Sequence, residues 1–525
     1  MSRKKVKEEI EKSESRKKVV RTFRRAGFDV TYMRDGKWTS DVSIMYLKPN
    51  EDIAQILGSS LEVVALLAEF PDFDARSVEE VREEVDTGSG EVRLSTEVAF
   101  VVTEDENTGE EVREINKRYR NLHTQLVGFS LSEIERCKPY GSEDFIRNLQ
   151  LRFYSRDLYQ PRGPVLSPVN FFGREEMVSE LTSELRSGTG HVGVFGLRKM
   201  GKTSLLYRLV DTLRRDAKVA HAHIDLQRVV AVNPSPEYLL WTIAEKLLDE
   251  NQFLQDKVDY RLFGEYSLFS DIQEKENVFE SFSHDINRLI KSQDRIKFVF
   301  MLDEIELLSH NVESAPWEGE DFVRFWRFLR GMDQENPGRF SYFVTGTNPS
   351  AIEDNKIVLE EEGYGSKKSI DNPTYNYFTK KYLPPLTSQE NGNGECGELL
   401  NDLGHRMGLV WSEEAIDQLA EYVGGHPSLL RHYASMVHNK LSPRSQKERV
   451  DADLVRSLAP DFIRNRESDF SQMTDVLREQ YEDEYFLLQL AAEGRVGEFR
   501  EWAKASPEDV AHRLCPDNCV TDPAG

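Results

Sequence analysis

The sequence predicts an α/β protein with a P-loop parallel sheet and helical lid at its centre, a small α/β domain before it and a helical, winged-helix-like segment after it. Three segments carry the prediction for the centre. The stretch GLRKMGKTS, residues 196–204, follows the apolar run HVGVF and fits the pattern G-x-x-x-x-G-K-[ST]. The apolar segment KFVFMLDEIELL contains two adjacent acids, and the apolar segment RFSYFVTGTNPS ends on polar residues.

The first segment predicts a strand, a phosphate-binding loop and a helix in direct succession. Loop N–H groups would surround the β- and γ-phosphates of a nucleotide such as ATP, at a helix N-terminus that favours anions. Gly196 and Gly201 supply the backbone freedom that this close approach requires. Lys202 is expected to act on the β/γ-phosphate oxygens, and Thr203 to ligate Mg²⁺. The expected nucleotide contacts are Gly196, Leu197, Arg198, Lys199, Met200, Gly201, Lys202, Thr203 and Ser204.

The second segment predicts a metal-holding acid and a catalytic acid. Asp303, at the tip of its strand, would lie beside the loop and hold Mg²⁺ through its water shell. Glu304 is placed to polarise an attacking water. The alternative is an ordinary strand that runs into an acid-rich helix N-terminus. One strand and two helical stretches lie between the loop and these acids, and such crossovers fit a single parallel sheet and favour the first interpretation.

The third segment predicts a strand that lies between the other two in the sheet. Thr347 or Asn348 at its tip could then contact the γ-phosphate or the attacking water, so Asn348 is a candidate catalytic residue. Simple turn chemistry is an equally weighted alternative, because T-N-P is a strong turn signal.

Composition shifts along the chain predict five parts. Residues 1–150 form the small α/β domain, in which FDVTYMRDGKWTSDVSIMYL predicts two strands about a turn and SLEVVALLAEF predicts a helix. The segments EVAFVVTED and TQLVGFSL predict further strands, with the charged helix GEEVREINKRYRNL between them. The other parts are a proline-containing linker at 151–167, the P-loop core at 168–388, the helical lid at 389–440 and the C-terminal helical segment at 441–525.

Charge and cysteine usage limit the class of protein. The formal net charge of -24 argues against a surface built uniformly for nucleic acid, so nucleic-acid binding is not favoured. The first 25 residues reverse the sign, with eleven Lys/Arg against four Asp/Glu, which predicts a solvated helix; a contact with an acidic partner is the alternative. Four scattered cysteines predict a reducing cytoplasm, and the pair Cys515 and Cys519 is a weak zinc candidate. No apolar run reaches the roughly 18 residues that span a bilayer.

Five segments in a fixed order resemble the STAND class of signal-transducing ATPases, in its bacterial and archaeal form, which is related to the origin-recognition AAA+ ATPases. They are NFFGREEMVSELTSEL, GVFGLRKMGKTSLL, FMLDEIELL, FSYFVTGTNPS and GGHPSLLR, and the resemblance covers residues 168 to 440. It implies that FFGREEM contributes to the adenine pocket, with Phe172, Gly173 and Arg174 as nucleotide contacts. It also implies that Pro427, in the Gly-x-Pro element, starts a lid helix near the bound phosphates.

The resemblance implies a switch that rests with ADP and changes with ATP, often as a homo-oligomer. The chain differs from the larger members of this class in that no repeat array follows the lid. The segment DEYFLLQLAAEGRVGEFREWAKASPEDVAHRL predicts three short helices, and the third is too acidic for a DNA-reading helix. Residues 1–150 resemble restriction-endonuclease-like folds, with Asp35 and Asp41 available but no second metal-binding element on a strand.

The sequence is compatible with three functions. The first is a slow ATP-hydrolysing switch whose N-terminal domain senses or acts in signalling, for instance in defence, with an unknown protein partner or trigger. The second is an origin-recognition-like DNA-binding ATPase. The third is an ATP-regulated nuclease effector.

Overall fold

The structure is a computed structural model, and it describes most of the chain between residues 3 and 505. The gaps are residues 38, 40, 58–59, 71–78, 82, 86–93, 119–123, 137–141, 155–156, 161–162, 166–169, 189, 217, 256–267, 274–276, 293–294, 309–316, 318, 361–366 and 444–445. The chain divides into two compact units. The first holds residues 1–163, 387–425 and 429–462, and the second holds residues 164–386, 426–428 and 463–525. The predicted lid therefore groups mainly with the N-terminal domain.

The first unit combines a mixed sheet with helices from two parts of the chain. Its first part contains α1 (Arg3–Ile10), α2 (Glu14–Arg25), β1 (Phe28–Asp35), β2 (Val42–Pro49), α3 (Glu51–Leu57), β3 (Glu62–Ala68), β4 (Leu94–Thr103), α4 (Thr108–Arg118), β5 (Gln125–Ser130), α5 (Leu131–Arg136) and α6 (Ser142–Tyr154). Its second part contains α16 (Glu395–Arg406), β13 (Leu409–Trp411), α17 (Glu413–Val423), β14 (Glu448–Val450) and most of α18 (Pro427–Leu441) and α19 (Ala452–Asn465).

The sheet of the N-terminal domain has the order β1-β2-β3-β4-β5, in which β2 runs antiparallel to both of its neighbours. The strands β3, β4 and β5 are parallel. The predicted hairpin of β1 and β2 and the strands β4 and β5 are confirmed, as is the helix α4. The predicted helix in SLEVVALLAEF is wrong, because that segment forms β3. Every residue of β3 is buried at the centre of the sheet, and such a continuously apolar strand has no alternation to distinguish it from a helix.

The basic N-terminal segment forms two helices that pack on this sheet. Ser13 caps α2, because its hydroxyl accepts hydrogen bonds from the N–H groups of Ser15 and Arg16. One face of α2 is buried, and the ring of Phe23 stacks 5.8 Å from that of Phe100 at the sheet's centre. The segment was predicted as a solvated helix and is instead a packed amphipathic element, in which even Arg16 is buried and paired with Asp35.

The chain that follows the N-terminal domain is anchored to the lid helices. Tyr159 is fully buried; its hydroxyl donates to the carbonyl of Leu400 at 2.5 Å and accepts from the indole N–H of Trp411 at 2.9 Å. On α18, the His438 ring contacts the Tyr154 carbonyl at 3.1 Å. Part of the predicted linker is thus a packed segment that joins the two parts of the first unit.

The second unit is a parallel sheet covered by helices on both faces. Its elements are α7 (Glu175–Ser187), β6 (Val192–Phe195), α8 (Lys202–Leu213), β7 (Val219–Asp225), α9 (Leu226–Val232), α10 (Pro236–Glu250), α11 (Gln252–Gln255), α12 (Phe269–Gln273), α13 (Val278–Ser292), β8 (Lys297–Asp303), a 3₁₀ turn (Ile305–Leu308), α14 (Gly319–Glu335), β9 (Phe340–Gly346), α15 (Ser350–Glu353), β10 (Lys356–Glu360), β11 (Lys367–Asp371), β12 (Thr379–Tyr382), α20 (Glu467–Gln480), α21 (Glu482–Ala492) and α22 (Val496–Ala505).

The strand order of this sheet is β12-β6-β9-β8-β7, and every pairing is parallel. The prediction that the third apolar segment lies between the other two is confirmed, because β9 is paired with both β6 and β8. The carboxyl ends of these three strands therefore meet at one edge of the sheet. One apolar core lies on each face, around Phe300 and Trp326 on one side and around Leu205 and Val299 on the other.

Within the described residues, the C-terminal segment from residue 441 is mainly helical, with the short strand β14 near its start. The first two of the three short helices predicted there are α21 and α22, while the third, with Cys515 and Cys519, lies outside the described residues. In the part of the chain that the structure describes, no helix is long and apolar enough to cross a membrane.

Candidate nucleotide site

The loop between β6 and α8 is folded as a phosphate-binding loop. Lys199 and Gly201 have φ angles of 63° and 95°, so the loop needs left-handed backbone at both positions. At Gly201 a side chain would also meet the guanidinium of Arg174, at 3.0 Å from its Nη1. Glycine avoids both the backbone strain and this contact. The N–H groups at the start of α8 then face the end of β6, which is a natural anion site.

Lys202, the first residue of α8, is buried at the mouth of the loop. Its ammonium donates to the carbonyl of Gly196 at 2.7 Å and to that of Leu197 at 3.0 Å. Burial lowers the pKa of Lys202, and the nearby carboxylates of Glu306, Asp303 and Glu304 oppose that shift. Phosphate oxygens would offer this ammonium stronger, charged acceptors than its own loop carbonyls.

Asp303 and Thr203 form an oxygen pair suited to a magnesium ion. The Thr203 hydroxyl donates to Asp303 Oδ2 at 2.8 Å, and the buried Thr345 hydroxyl donates to Asp303 Oδ1. Hydroxyl and carboxylate oxygens are the donors that Mg²⁺ prefers. The residues fit the ion: Thr203 and Asp303 would hold it, and it would neutralise phosphate charge. Thr345, which the sequence analysis did not single out, fixes the carboxylate from the neighbouring strand.

Glu304 follows Asp303 in a strained backbone conformation, with φ at 65°. A non-glycine residue in this region costs on the order of 1–3 kcal/mol, and such strain is concentrated at functional sites. Burial raises the pKa of Glu304, and the neighbouring Asp303 and Glu306 add to the shift. A carboxylate with a raised pKa at the strand tip has the property expected of a general base.

The turn after β9 is held by a third acid of the DEIE sequence. Glu306 Oε1 accepts from the Thr347 N–H at 3.0 Å and from the Thr347 hydroxyl at 2.8 Å. Asn348, the other candidate at this tip, accepts from the Ser350 N–H at 2.8 Å through its Oδ1, which is a turn interaction. The sequence analysis predicted no role for Glu306. The available signal was its place as the third acid of DEIE, after Asp303 and Glu304.

The residues assigned by resemblance to the base pocket lie at the start of α7. Phe172 is half-buried, Gly173 has a φ of 73°, and the Arg174 side chain donates to the Pro384 carbonyl at 2.9 Å. Pro427 is the first residue of α18, and the preceding His426 contacts the loop directly, with its Nε2 3.3 Å from the Arg198 carbonyl. Burial lowers the pKa of His426 to about 4.

The C-terminal helices also contact this edge of the sheet. Asp469 of α20 forms an ion pair with Lys199 at the apex of the phosphate loop, with Nζ and Oδ1 2.9 Å apart. The hydroxyl of Tyr481, between α20 and α21, donates to the Thr347 carbonyl. Lys199 lies 270 positions from Asp469, so sequence spacing gave no signal for either contact.

Asp35 and Asp41, the two acids considered for a nuclease site, contact other residues of the N-terminal domain. Asp35, at the end of β1, is paired with Lys12 and Arg16, each at 2.8 Å, and the hydrogen bond from Lys12 lowers the pKa of Asp35. Asp41 precedes β2, and its carbonyl accepts from the Glu69 N–H at 2.8 Å. Within the described residues, no group of three His, Cys, Asp or Glu side chains is arranged to hold a metal ion.

Several solved structures resemble this chain at low sequence identity. The chain is similar to the Walker-type ATPase paby2304 of Pyrococcus abyssi, with 16% identity, 68% of this chain and 92% of the other covered, and a TM-score of 0.43. It is also similar to Drosophila ORC bound to DNA, with 13% identity, coverage of 70% and 83%, and a TM-score of 0.35. A third similar structure is Cdc6p from Pyrobaculum aerophilum, with 13% identity, 66% of this chain and 87% of the other covered, and a TM-score of 0.33.

No protein-family model matches the sequence. No curated protein matches it either. The parallel strand order of the second unit and the phosphate loop after β6 give this unit a P-loop fold.

Proposed function

We propose that the chain is an ATP-binding, slowly ATP-hydrolysing molecular switch of the STAND type. In this proposal the nucleotide state of the central site controls the N-terminal domain, which senses or acts in signalling. The observation that carries the proposal is the double contact on the phosphate loop. His426, at the start of the lid helix, touches the Arg198 carbonyl, and Asp469 of α20 is paired with Lys199.

The hydrolytic half of the proposal rests on four residues at one sheet edge. Lys202 and Thr203 would bind the phosphates and the Mg²⁺ ion, and Asp303 would hold the ion's water shell. Glu304 would take the proton of the attacking water, for which its raised pKa suits it.

The coupling half rests on continuity through α18. This helix begins beside the loop-contacting His426 and continues to His438, which contacts the Tyr154 carbonyl at the end of α6. Arg431 of the same helix donates to the Leu158 carbonyl at 3.3 Å. A displacement of the start of α18 by bound phosphate would therefore be passed to the chain that follows the N-terminal domain.

Two substitutions and a size measurement test this function. Lys202→Ala should abolish ATP binding, because it removes the phosphate-binding charge, whereas Glu304→Gln should bind ATP and lose turnover by about a hundredfold. The molecular mass in solution, measured with ADP and with a non-hydrolysable ATP analogue, should differ in the wild type and not in Lys202→Ala. Equal masses in both nucleotides, together with unchanged turnover in Glu304→Gln, would contradict the switch.

A further inference from the structure

Glu306 connects two parts of the nucleotide site that the proposed function treats separately. On one side its Oε1 accepts two hydrogen bonds from Thr347, which fixes the first residue after β9. On the other side it is the foremost of the carboxylates that oppose the effect of burial on the pKa of Lys202. The Glu306 side chain therefore lies at the tip of β9, the strand that separates β6 from β8, where it binds Thr347 and packs against Gly346.

The packing around Glu306 shows that its position is closely constrained. A Cβ added at Gly346 would meet Glu306 Oε2, so the acid packs directly against the backbone at the end of β9. Glu306 Oε2 is buried and makes no hydrogen bond within the described part of the chain. Because Glu306 Oε1 accepts both Thr347 hydrogen bonds and the side chain packs against Gly346, truncating Glu306 would release the Thr347 turn.

We propose that Glu306 is a positioning residue for ATP hydrolysis, which acts by holding the Thr347 turn where that turn faces the γ-phosphate. The inference rests on the proposed function. Its geometric basis is the placement of β9, whose Thr345 contacts Asp303 and whose next turn is bound by Glu306. The tip of β9 thus lies among the groups expected to bind metal and phosphate.

The test compares Glu306→Ala with Glu306→Gln in the full chain. Glu306→Ala should lower kcat by about tenfold or more, because the reacting groups lose their alignment, while KM for MgATP stays the same or falls as a negative charge leaves the phosphate site. Glu306→Gln keeps an oxygen acceptor for Thr347 and should stay within about threefold of the wild-type kcat. Glu335→Ala, which removes an exposed acid at the end of α14, is the matched control.

A second pair of variants keeps the proposal testable if Glu306→Ala does not fold. Thr347→Ser retains the hydroxyl that donates to Glu306 and should hydrolyse ATP normally, whereas Thr347→Val should lose turnover as Glu306→Ala does. The double variant Glu306→Ala/Thr347→Val should lose little more ATP turnover than either single variant, because both substitutions remove the same hydrogen bond between Glu306 and Thr347.

Equal turnover in Thr347→Ser and Thr347→Val, or a Glu306→Ala kcat within twofold of wild type, would overturn the role of Glu306. Either result, obtained while Glu304→Gln is inactive, leaves the proposed ATPase function standing. A wild-type chain that neither binds nor hydrolyses ATP would instead refute the proposed function, and the role of Glu306 with it.

Discussion

At the scale of single residues, the nucleotide site is made of side chains held away from their ordinary states. Lys202 is a buried ammonium, Glu304 has left-handed backbone, and His426 is a buried imidazole. Each of these states costs free energy that the surrounding structure must supply. A bound phosphate would offset part of this cost at Lys202, because it offers the buried ammonium an opposite charge.

His426 should make the stability of the protein depend on pH. Its pKa falls from the ordinary 6.5 to about 4 in the folded chain, so the folded state favours the neutral ring. The stabilisation is complete above pH 6.5 and is lost as the pH falls toward 4, up to about 3 kcal/mol. We expect His426→Gln to flatten the fall in the free energy of unfolding, measured with urea between pH 7.5 and 4.5.

The control for this prediction is His284→Gln, since the His284 side chain is 69% exposed. Some pH dependence should remain in His426→Gln, because burial also lowers the pKa of His221 to about 4. Identical pH profiles for the wild type and His426→Gln would show that the ring of His426 does not titrate as its burial implies.

At the scale of elements, α20 occupies the position next to the phosphate loop. Asp469 bridges Lys199 and Arg466, the latter at 3.2 Å, and the hydrogen bond from Lys199 lowers the pKa of the Asp469 carboxyl. The Lys199 side chain is about half exposed, so the pair is weak enough to be broken by a bound phosphate. In the proposed switch, α20 is therefore an element that nucleotide binding can release.

Asp469→Asn should increase the affinity for ATP. Removing the carboxylate frees Lys199 for the phosphates and removes a repelling charge, and a partly exposed pair contributes up to about 1 kcal/mol, or about fivefold in affinity. The dissociation constant for a fluorescent ATP analogue measures this change, which should shrink at high ionic strength. Asp475→Asn is the control, because Asp475 forms an exposed pair with Arg478 on the same helix. An equal effect of both variants would argue against a role for α20.

At the scale of the whole molecule, the two units have separate apolar cores. The core of the first unit is built around Phe23, Phe100 and Phe129, and the cores of the second cover the two faces of the parallel sheet. All residues expected to bind phosphate and metal belong to the second unit. Ligand binding should therefore raise the stability of that unit first.

Calorimetry should resolve two unfolding transitions. A non-hydrolysable MgATP analogue should raise the midpoint temperature of only one of them. At a hundredfold excess over the dissociation constant the ligand contributes about 2.7 kcal/mol to the unit that binds it. The Lys202→Ala variant should show no shift. A ligand-induced shift of both transitions by the same amount would mean that the units unfold as one, contrary to this expectation.

Much of the central fold could be predicted because its signals are local. A glycine-rich loop between an apolar strand and a helix, and strands that end in acids, are read from neighbouring residues. The β3 segment was mispredicted because a fully buried strand lacks periodicity. Glu306 was missed because its contact is with Thr347, which follows a strand 41 residues further along the chain.

The sequence by itself determined the phosphate loop, the apolar strands of the candidate site and the acids at their tips, since each depends on residues close together in the chain. Only the tertiary structure decided which groups touch that loop. His426 and Asp469 reach it from more than 200 residues away, and the pairing of Lys12 and Arg16 with Asp35 also depends on packing. Such contacts are fixed by how helices pack on a sheet, which no local pattern records.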